Sequence, residues 1–297
     1  MSPRSYSNAS VQLVTGLEAL LATEGVLGPV YAPADILALE SDVLAKYLSF
    51  FNTLAVDRVL LAPQAAVMTC GPLASSIVDA VIDRLPSAIV RGFEPSEAAI
   101  LAAAERTSSL PATVDFEVLK SLPSKQPDAA YTHALIVHPI AAAKMRLQLV
   151  REAARLLVPA GQLLFALPLR GSFPEIVDML REFSLKHDTP SFGEAIEVGA
   201  HSRPTPETLT EDLERLGFVD VSVDVELLSV AFETGKDFIA HPLFRLVVVP
   251  ELACMIGGSA ETLGSAIDYA KAAIVKYWSE GQFDLTVNIG CASARKP

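Results

Sequence analysis

Apolar residues recur along this chain in two rhythms, a helical spacing and short runs of strand length, and the two take turns. Helical spacing opens the chain at residues 11–24 and 34–54, with Asp35 and Ser41 as polar interruptions on the outer face. The stretch 65–94, AAVMTCGPLASSIVDAVIDRLPSAIVRGFE, then reads as strand, tight turn at Cys70-Gly71-Pro72, amphipathic helix and a second strand ending in Glu94. That is the βαβ half of a nucleotide-binding α/β sheet. The first strand has two candidates, 58–61 and 65–69, separated by Ala62-Pro63, and the second is preferred because a glycine follows it.

The alternation continues. Pro95 and Ser96 open a helix over 95–106, 112–119 is a third strand, 121–128 a loop, and 129–137 a fourth strand that is apolar on both faces toward its end. A helix over 141–157 stops at Pro159-Ala160-Gly161 before a fifth strand at 162–167. A helix at 175–185, a polar loop at 186–204, a helix at 206–216 and strands at 219–230 and 284–293 complete the pattern. A short stretch at 250–255 and a helix at 260–277 lie between those strands as an insertion. The expected organisation is an N-terminal helical cap, 1–56, and an α/β domain, 57–297, with a helical insertion at about 241–281.

In such sheets a ligand lies across the carboxyl ends of the strands. Backbone N–H groups of the first turn and an acid after the second strand hold it. Gly71 occupies the first place and Glu94 the second. Glu94 reads either as a ribose-binding carboxylate or as a helix-capping acid before Pro95. His138, after the fourth strand, reads either as a base near neutral pH or as a cap for the helix that follows. Tyr131 and His133 lie on the same strand. His133 and His138 are five apart with no carboxylate between them, which argues against a metal. Arg170 follows the fifth strand, where it would hold an anionic substrate or pair with an acid. Trp278 and Phe283 read as core, Cys70 as a small buried residue, and His187, Asp188 and His201 as solvated surface.

Composition narrows the classes. The chain has 297 residues, enough to bury a large core without disulfides or a metal, and 51% of them are apolar. Apolar runs such as 134–136 and 246–249 are only strand-length, far short of a membrane span, so the excess reads as buried parallel strands with room for a subunit interface. A net charge of -12 without a Lys/Arg cluster argues against nucleic acid. The cysteines Cys70, Cys254 and Cys291 have no CxxC spacing and point to a reducing compartment, the cytoplasm, and the start MSPRSYSNAS is not a secretory signal.

Several phrases resemble the class I S-adenosylmethionine-dependent methyltransferases, the type 11 branch in particular. GFEPSEAAILAAAER (Gly92 to Arg106) resembles that family's segment after the second strand. LVREAARLLVPAGQLLFALP (Leu149 to Pro168) resembles its helix, turn and fifth strand, and ERLGFVDVSVDV (Glu214 to Val225) its junction into the sixth. The resemblance covers about residues 45–297. It implies a Rossmann-like seven-stranded sheet of order 3-2-1-4-5-7-6, with the last strand antiparallel and helices on both faces. It also implies S-adenosylmethionine as the cofactor, no metal, and a cofactor site drawn from Thr69, Gly71, Leu73, Glu94, Pro95, Leu119 and His133, with His138 as the catalytic candidate.

The cofactor loop departs from the family's pattern. Glu94 lies 23 residues after Gly71, the usual separation. That register puts Thr69 where an acid stands, and Leu73 and Ser75 where the second and third glycines stand. Glycine is used where backbone must approach a ligand, and a Leu side chain there projects into the site. The acid many relatives carry after the third strand is also missing, with Val118, Leu119 and Lys120 in its place. These changes fall on one pocket while the surrounding elements match. The expectation is a pseudo-methyltransferase with weak or absent cofactor binding that serves as a binding or scaffold protein. The alternative is an active methyltransferase acting on a small molecule or a protein. A protein partner, a small molecule and a second copy of the chain all stay open as partners.

Overall fold

The computed structural model describes residues 28–110 and 113–297; the helix expected at 11–24 lies outside the described residues. Two compact units emerge. One comprises Gly25–Ser172, Arg203–Leu228 and Val287–Pro297; the other holds Phe173–Ser202 and Ser229–Thr286.

The first unit opens with a run of helix without a break: α1 (Pro33–Ala38), a wide π-helical stretch (Leu39–Leu48) and α2 (Ser49–Val56). Leu39, Val43, Tyr47, Leu48, Phe51 and Leu54 recur at spacings of three and four and are all buried, so this segment is held by one apolar stripe. Pro33 sits at the helix start, where its missing N–H costs nothing.

The strands and helices then alternate: β1 (Ala66–Cys70), a 3₁₀ turn (Ala74–Ile77), α3 (Val78–Arg84), β2 (Ile89–Glu94), α4 (Glu97–Thr107), β3 (Thr113–Val118), β4 (Tyr131–Val137), α5 (Ala143–Leu156) and β5 (Leu157–Pro168). After α6 (Pro174–Lys186), α7 (Pro190–Ser202) and α8 (Pro206–Arg215) comes β6 (Val219–Phe232). Then follow α9 (Gly235–Ala240), a π-helical turn (Phe244–Val248), α10 (Val249–Ile256), α11 (Ala260–Tyr277) and β7 (Phe283–Arg295). The sheet runs β3-β2-β1-β4-β5-β7-β6. Its first five strands are parallel and β7 is antiparallel to β5, which is the expected topology.

Three local expectations are corrected. Residues 186–204, expected as a polar loop, contain α7. Phe192, Ile196 and Gly199 form its buried stripe, and a Cβ on Gly199 would stand 2.5 Å from the Met255 carbonyl oxygen, so small size at that point lets α7 pack against α10. Pro159-Ala160-Gly161 do not separate helix from strand, because β5 starts at Leu157. Tyr131 pairs with Leu157 but His133 with Gln162, and the extra residues fold out as a bulge around Ala160 at φ 60, secured by its N–H to the Lys296 carbonyl at 2.8 Å. Residues 246–249, strand-length by their run of apolar residues, are helical within Phe244–Ile256. They are buried all round the helix, which erases the periodicity that would reveal it.

Among the described residues no helix is long and apolar enough to cross a membrane, and no group of three His, Cys, Asp or Glu is placed to hold a metal ion.

Candidate functional site

The carboxyl ends of β1, β2 and β4 form the candidate site, all within the first unit. Gly71 follows β1, and a Cβ there would lie 2.3 Å from the Val137 carbonyl oxygen at the end of β4. Its smallness is therefore required by the approach of two strand ends. Leu73 follows Pro72, at φ -148° and ψ 67°. Its side chain is buried, and its carbonyl accepts from the Ser76 N–H at 3.0 Å and the Ser76 Oγ at 2.7 Å. These bonds start the 3₁₀ turn, so the loop is held by its own residues.

Glu94 ends β2 with no exposed surface. Its Oε1 accepts the Ser75 N–H at 3.2 Å. Burial pushes its carboxyl up to about 8, against the opposing effect of the Ser75 and Ala74 backbone N–H groups, so at neutral pH it is mostly uncharged. The capping role belongs to Ser96, whose Oγ accepts the Ala99 N–H at 3.2 Å. Pro95 is buried between the two. Leu119 is buried and donates its N–H to the Glu94 carbonyl at 3.0 Å, extending the β2–β3 pairing. Thr69, Gly92 and Phe116 stand in one row across β1, β2 and β3. A Cβ on Gly92 would sit 2.3 Å from the Phe116 ring, so the missing side chain makes room for that ring.

Thr69 Oγ1, Ser75 Oγ and Glu94 Oε2 are buried with no hydrogen-bond partner among the described residues. Three such atoms at one place form a concentrated polar demand. Cys70 beside them is buried, and burial together with the nearby Glu94 pushes its thiol up to about 12, which makes it an inert core residue.

The helical cap closes this edge. His138 follows β4 with φ 49, its N–H donating to the Ala166 carbonyl at 2.7 Å. Its Nε2 lies 2.8 Å from Tyr47 Oη, and its ring meets Phe51 edge-on at 4.5 Å between centroids. It caps no helix, since Ala142 precedes α5. Asn52 Nδ2 donates to Ser76 Oγ at 2.9 Å, and Arg106 holds Glu40 at 2.7 Å. Among the described residues, cap and strand ends leave between them a cavity of about 10 Å³, lined by residues that include Leu48, Asn52, Thr69, Gly71, Leu73 and Val137. That is room for about one water molecule.

The structure thus brings Thr69, Gly71, Leu73, Glu94, Pro95 and Leu119 to one region around the ends of β1, β2 and β3, and places His138 under the cap. His133 is elsewhere. It lies at the start of β4, with Nε2 2.9 Å from the Leu60 carbonyl oxygen and Nδ1 2.8 Å from Thr132 Oγ1, and burial lowers its pKa. There it helps Gln162 to anchor the linker between cap and sheet. Gln162 accepts the Leu60 N–H at 2.9 Å and donates to the Arg58 carbonyl at 2.8 Å. Tyr131 bonds Gln126 at 3.2 Å, and Arg170 Nε donates to the Arg203 carbonyl at 3.3 Å. Sequence reasoning missed Tyr47, Phe51 and Asn52. Their one signal was the aromatic pair four residues apart on a predicted helix.

No family model and no curated protein matches the sequence. Solved structures do match. A candidate methyltransferase of Bacillus halodurans C-125 superposes with a TM-score of 0.51 at 14% identity, over 84% of this chain and 99% of that one. Phosphoethanolamine N-methyltransferase 2 of Haemonchus contortus, in complex with S-adenosyl-L-methionine, gives 0.50 at 14% identity, over 90% of this chain and 58% of that one.

Proposed function

We infer that this chain, which has the fold of the class I S-adenosylmethionine-dependent methyltransferases, uses it as a binding or scaffold protein, a pseudo-methyltransferase with weak or absent catalysis. One observation carries the reading. Among the described residues, the chain's own cap and loop lie against the strand ends and leave beside Gly71 and Leu73 a cavity of about 10 Å³, room for about one water molecule. Two further facts support it. Glu94, at the place of the ribose acid, is buried, largely uncharged and bonded to the loop's own N–H. His138, the candidate base, is engaged by Tyr47 and meets Phe51 edge-on. On this reading the residues present do not fit S-adenosylmethionine in this arrangement. Cys70 and Cys291, both buried and without a disulfide, support a reducing compartment such as the cytoplasm.

A second reading, an active methyltransferase on a small molecule or protein, has one observation in its favour. Thr69 Oγ1, Ser75 Oγ and Glu94 Oε2 are buried without partners among the described residues, and a nucleoside's hydroxyls would satisfy such atoms. Isothermal titration with S-adenosylmethionine and S-adenosylhomocysteine separates the two. The scaffold reading expects no heat at millimolar ligand. A micromolar Kd, about -8 kcal/mol, overturns it and directs the search to acceptors.

A further inference from the structure

The strand order leaves β6 at one border of the sheet, with β7 on one side and no strand of the described residues on the other. At 14 residues it is far longer than the usual strand of about 5–6. Edges of this kind are commonly blunted with charged side chains, lysine above all, with proline or with a bulge, since an open edge invites another strand; the charges here are all acidic. Residues 219–228, VDVSVDVELL, hold no Lys, Arg or Pro. The left-handed Asp220, φ 52, is the one irregularity in that stretch, and it sits at the start.

Side chains alternate along this edge. Val221 and Val223 pack against the core of the sheet, but Val225 and Leu227, on the same side, are 50% and 71% exposed. The apolar side therefore runs two positions beyond its cover. The other side carries Asp220, Ser222, Asp224 and Glu226. Asp224 is paired with Arg58, while Ser222 and Glu226 are exposed. A second copy paired antiparallel along this edge would set acidic residues against acidic residues, and like charges facing each other across strands are destabilising. A basic strand makes the same side attractive.

We propose that the outer edge of β6, from Val221 to Leu228, docks an extended segment of another protein in which lysine or arginine alternates with apolar residues. The segment adds a strand to the sheet. Main-chain hydrogen bonds supply the adhesion, and the alternating side chains supply the choice of partner. Val225 and Leu227 meet the apolar positions, and Glu226 a basic one. The proposal does not depend on whether the crevice takes a cofactor, so the titration described above and the test below fail separately.

The test uses the full chain and two labelled synthetic nonapeptides with blocked ends, one alternating lysine and valine, the other glutamate and valine. Fluorescence anisotropy reads affinity at low and high salt, and hydrogen exchange reads the amides of β6. The expected result is micromolar binding of the lysine peptide, weakened about tenfold or more by salt, protection of the amides between Val221 and Leu228, and no binding of the glutamate peptide. A Ser222→Lys, Glu226→Lys double variant should reverse the preference, a gain that misfolding cannot imitate. Four results would overturn the proposal: no binding, equal binding of both peptides, binding without protection of β6, or a stable homodimer that dissociates on Leu227→Lys.

Discussion

Tyr47 and His138, 91 residues apart in the chain, meet with 2.8 Å between Oη and Nε2. This bond joins the end of the π-helical stretch to the carboxyl end of β4 inside a fully buried aromatic cluster with Phe51. Tyr47→Phe keeps the ring and removes the hydroxyl. The expected loss of stability is about 1–2 kcal/mol, seen as a lower urea midpoint with an unchanged slope. A neutral result would show that the bond does not hold the cap.

The two glycines of the first βαβ unit, Gly71 and Gly92, should respond differently to alanine. At Gly71 the added methyl meets backbone, the Val137 carbonyl oxygen at 2.3 Å, and at Gly92 it meets the ring of Phe116. A side chain can turn aside where a strand cannot. Gly71→Ala is expected to lose roughly 3 kcal/mol or more and Gly92→Ala roughly 1–2. Thermal unfolding of the two variants side by side checks the order, and equal losses would contradict it.

Glu94 gives stability a pH dependence of known sign. Its folded pKa, about 8, lies above the value of about 4.5 in the unfolded chain, so the native state holds an extra proton between those limits. Its contribution is full below about pH 4.5, declines as pH rises and levels off above about 8, a change of roughly 4 to 5 kcal/mol at most. Glu94→Gln removes this slope. The variant should match the wild type near pH 5 and exceed it at pH 9 in urea titrations. Parallel curves across that range would show that burial does not hold the carboxyl neutral.

Leu73 is buried beside the small cavity. Leu73→Ala should lose about 2–4 kcal/mol without creating a cofactor site, because Leu48 and Asn52 still line the space from the cap. Titration of the variant with S-adenosylmethionine checks the second half, and micromolar binding would show that Leu73 alone blocks the crevice.

Glu94 and Gly71 were readable because the strand–turn–helix–strand rhythm places them by short-range spacing. The sheet order was implied by the resemblance, carried by segments such as Gly92–Arg106 and Leu149–Pro168. The closure of the crevice was not readable in that way. It depends on Tyr47, Phe51 and Asn52 meeting residues far along the chain, and no local pattern records such meetings. His133 shows the same limit: its type and strand suggested a ligand contact, but the register of β4 against β1, Val67 facing His133, puts it at the opposite end of the strand from the site. α7 was hidden by its composition, since the turn-formers Pro190, Ser191 and Gly193 mask a stripe that only packing reveals.

The buried aromatics of the cap also set a ceiling on affinity. A ligand that needs the crevice open must first undock Tyr47 and Phe51, both with no exposed surface. Exposing two such side chains costs roughly 3–6 kcal/mol. The open population is then about one molecule in a hundred to one in ten thousand or fewer, and every apparent Kd is raised by that factor. A site with micromolar intrinsic affinity would register at tenths of a millimolar to tens of millimolar. An effector that held the cap away would return the whole of that factor in one step, so the cap's own stability is the quantity that decides whether this fold presents a cofactor site.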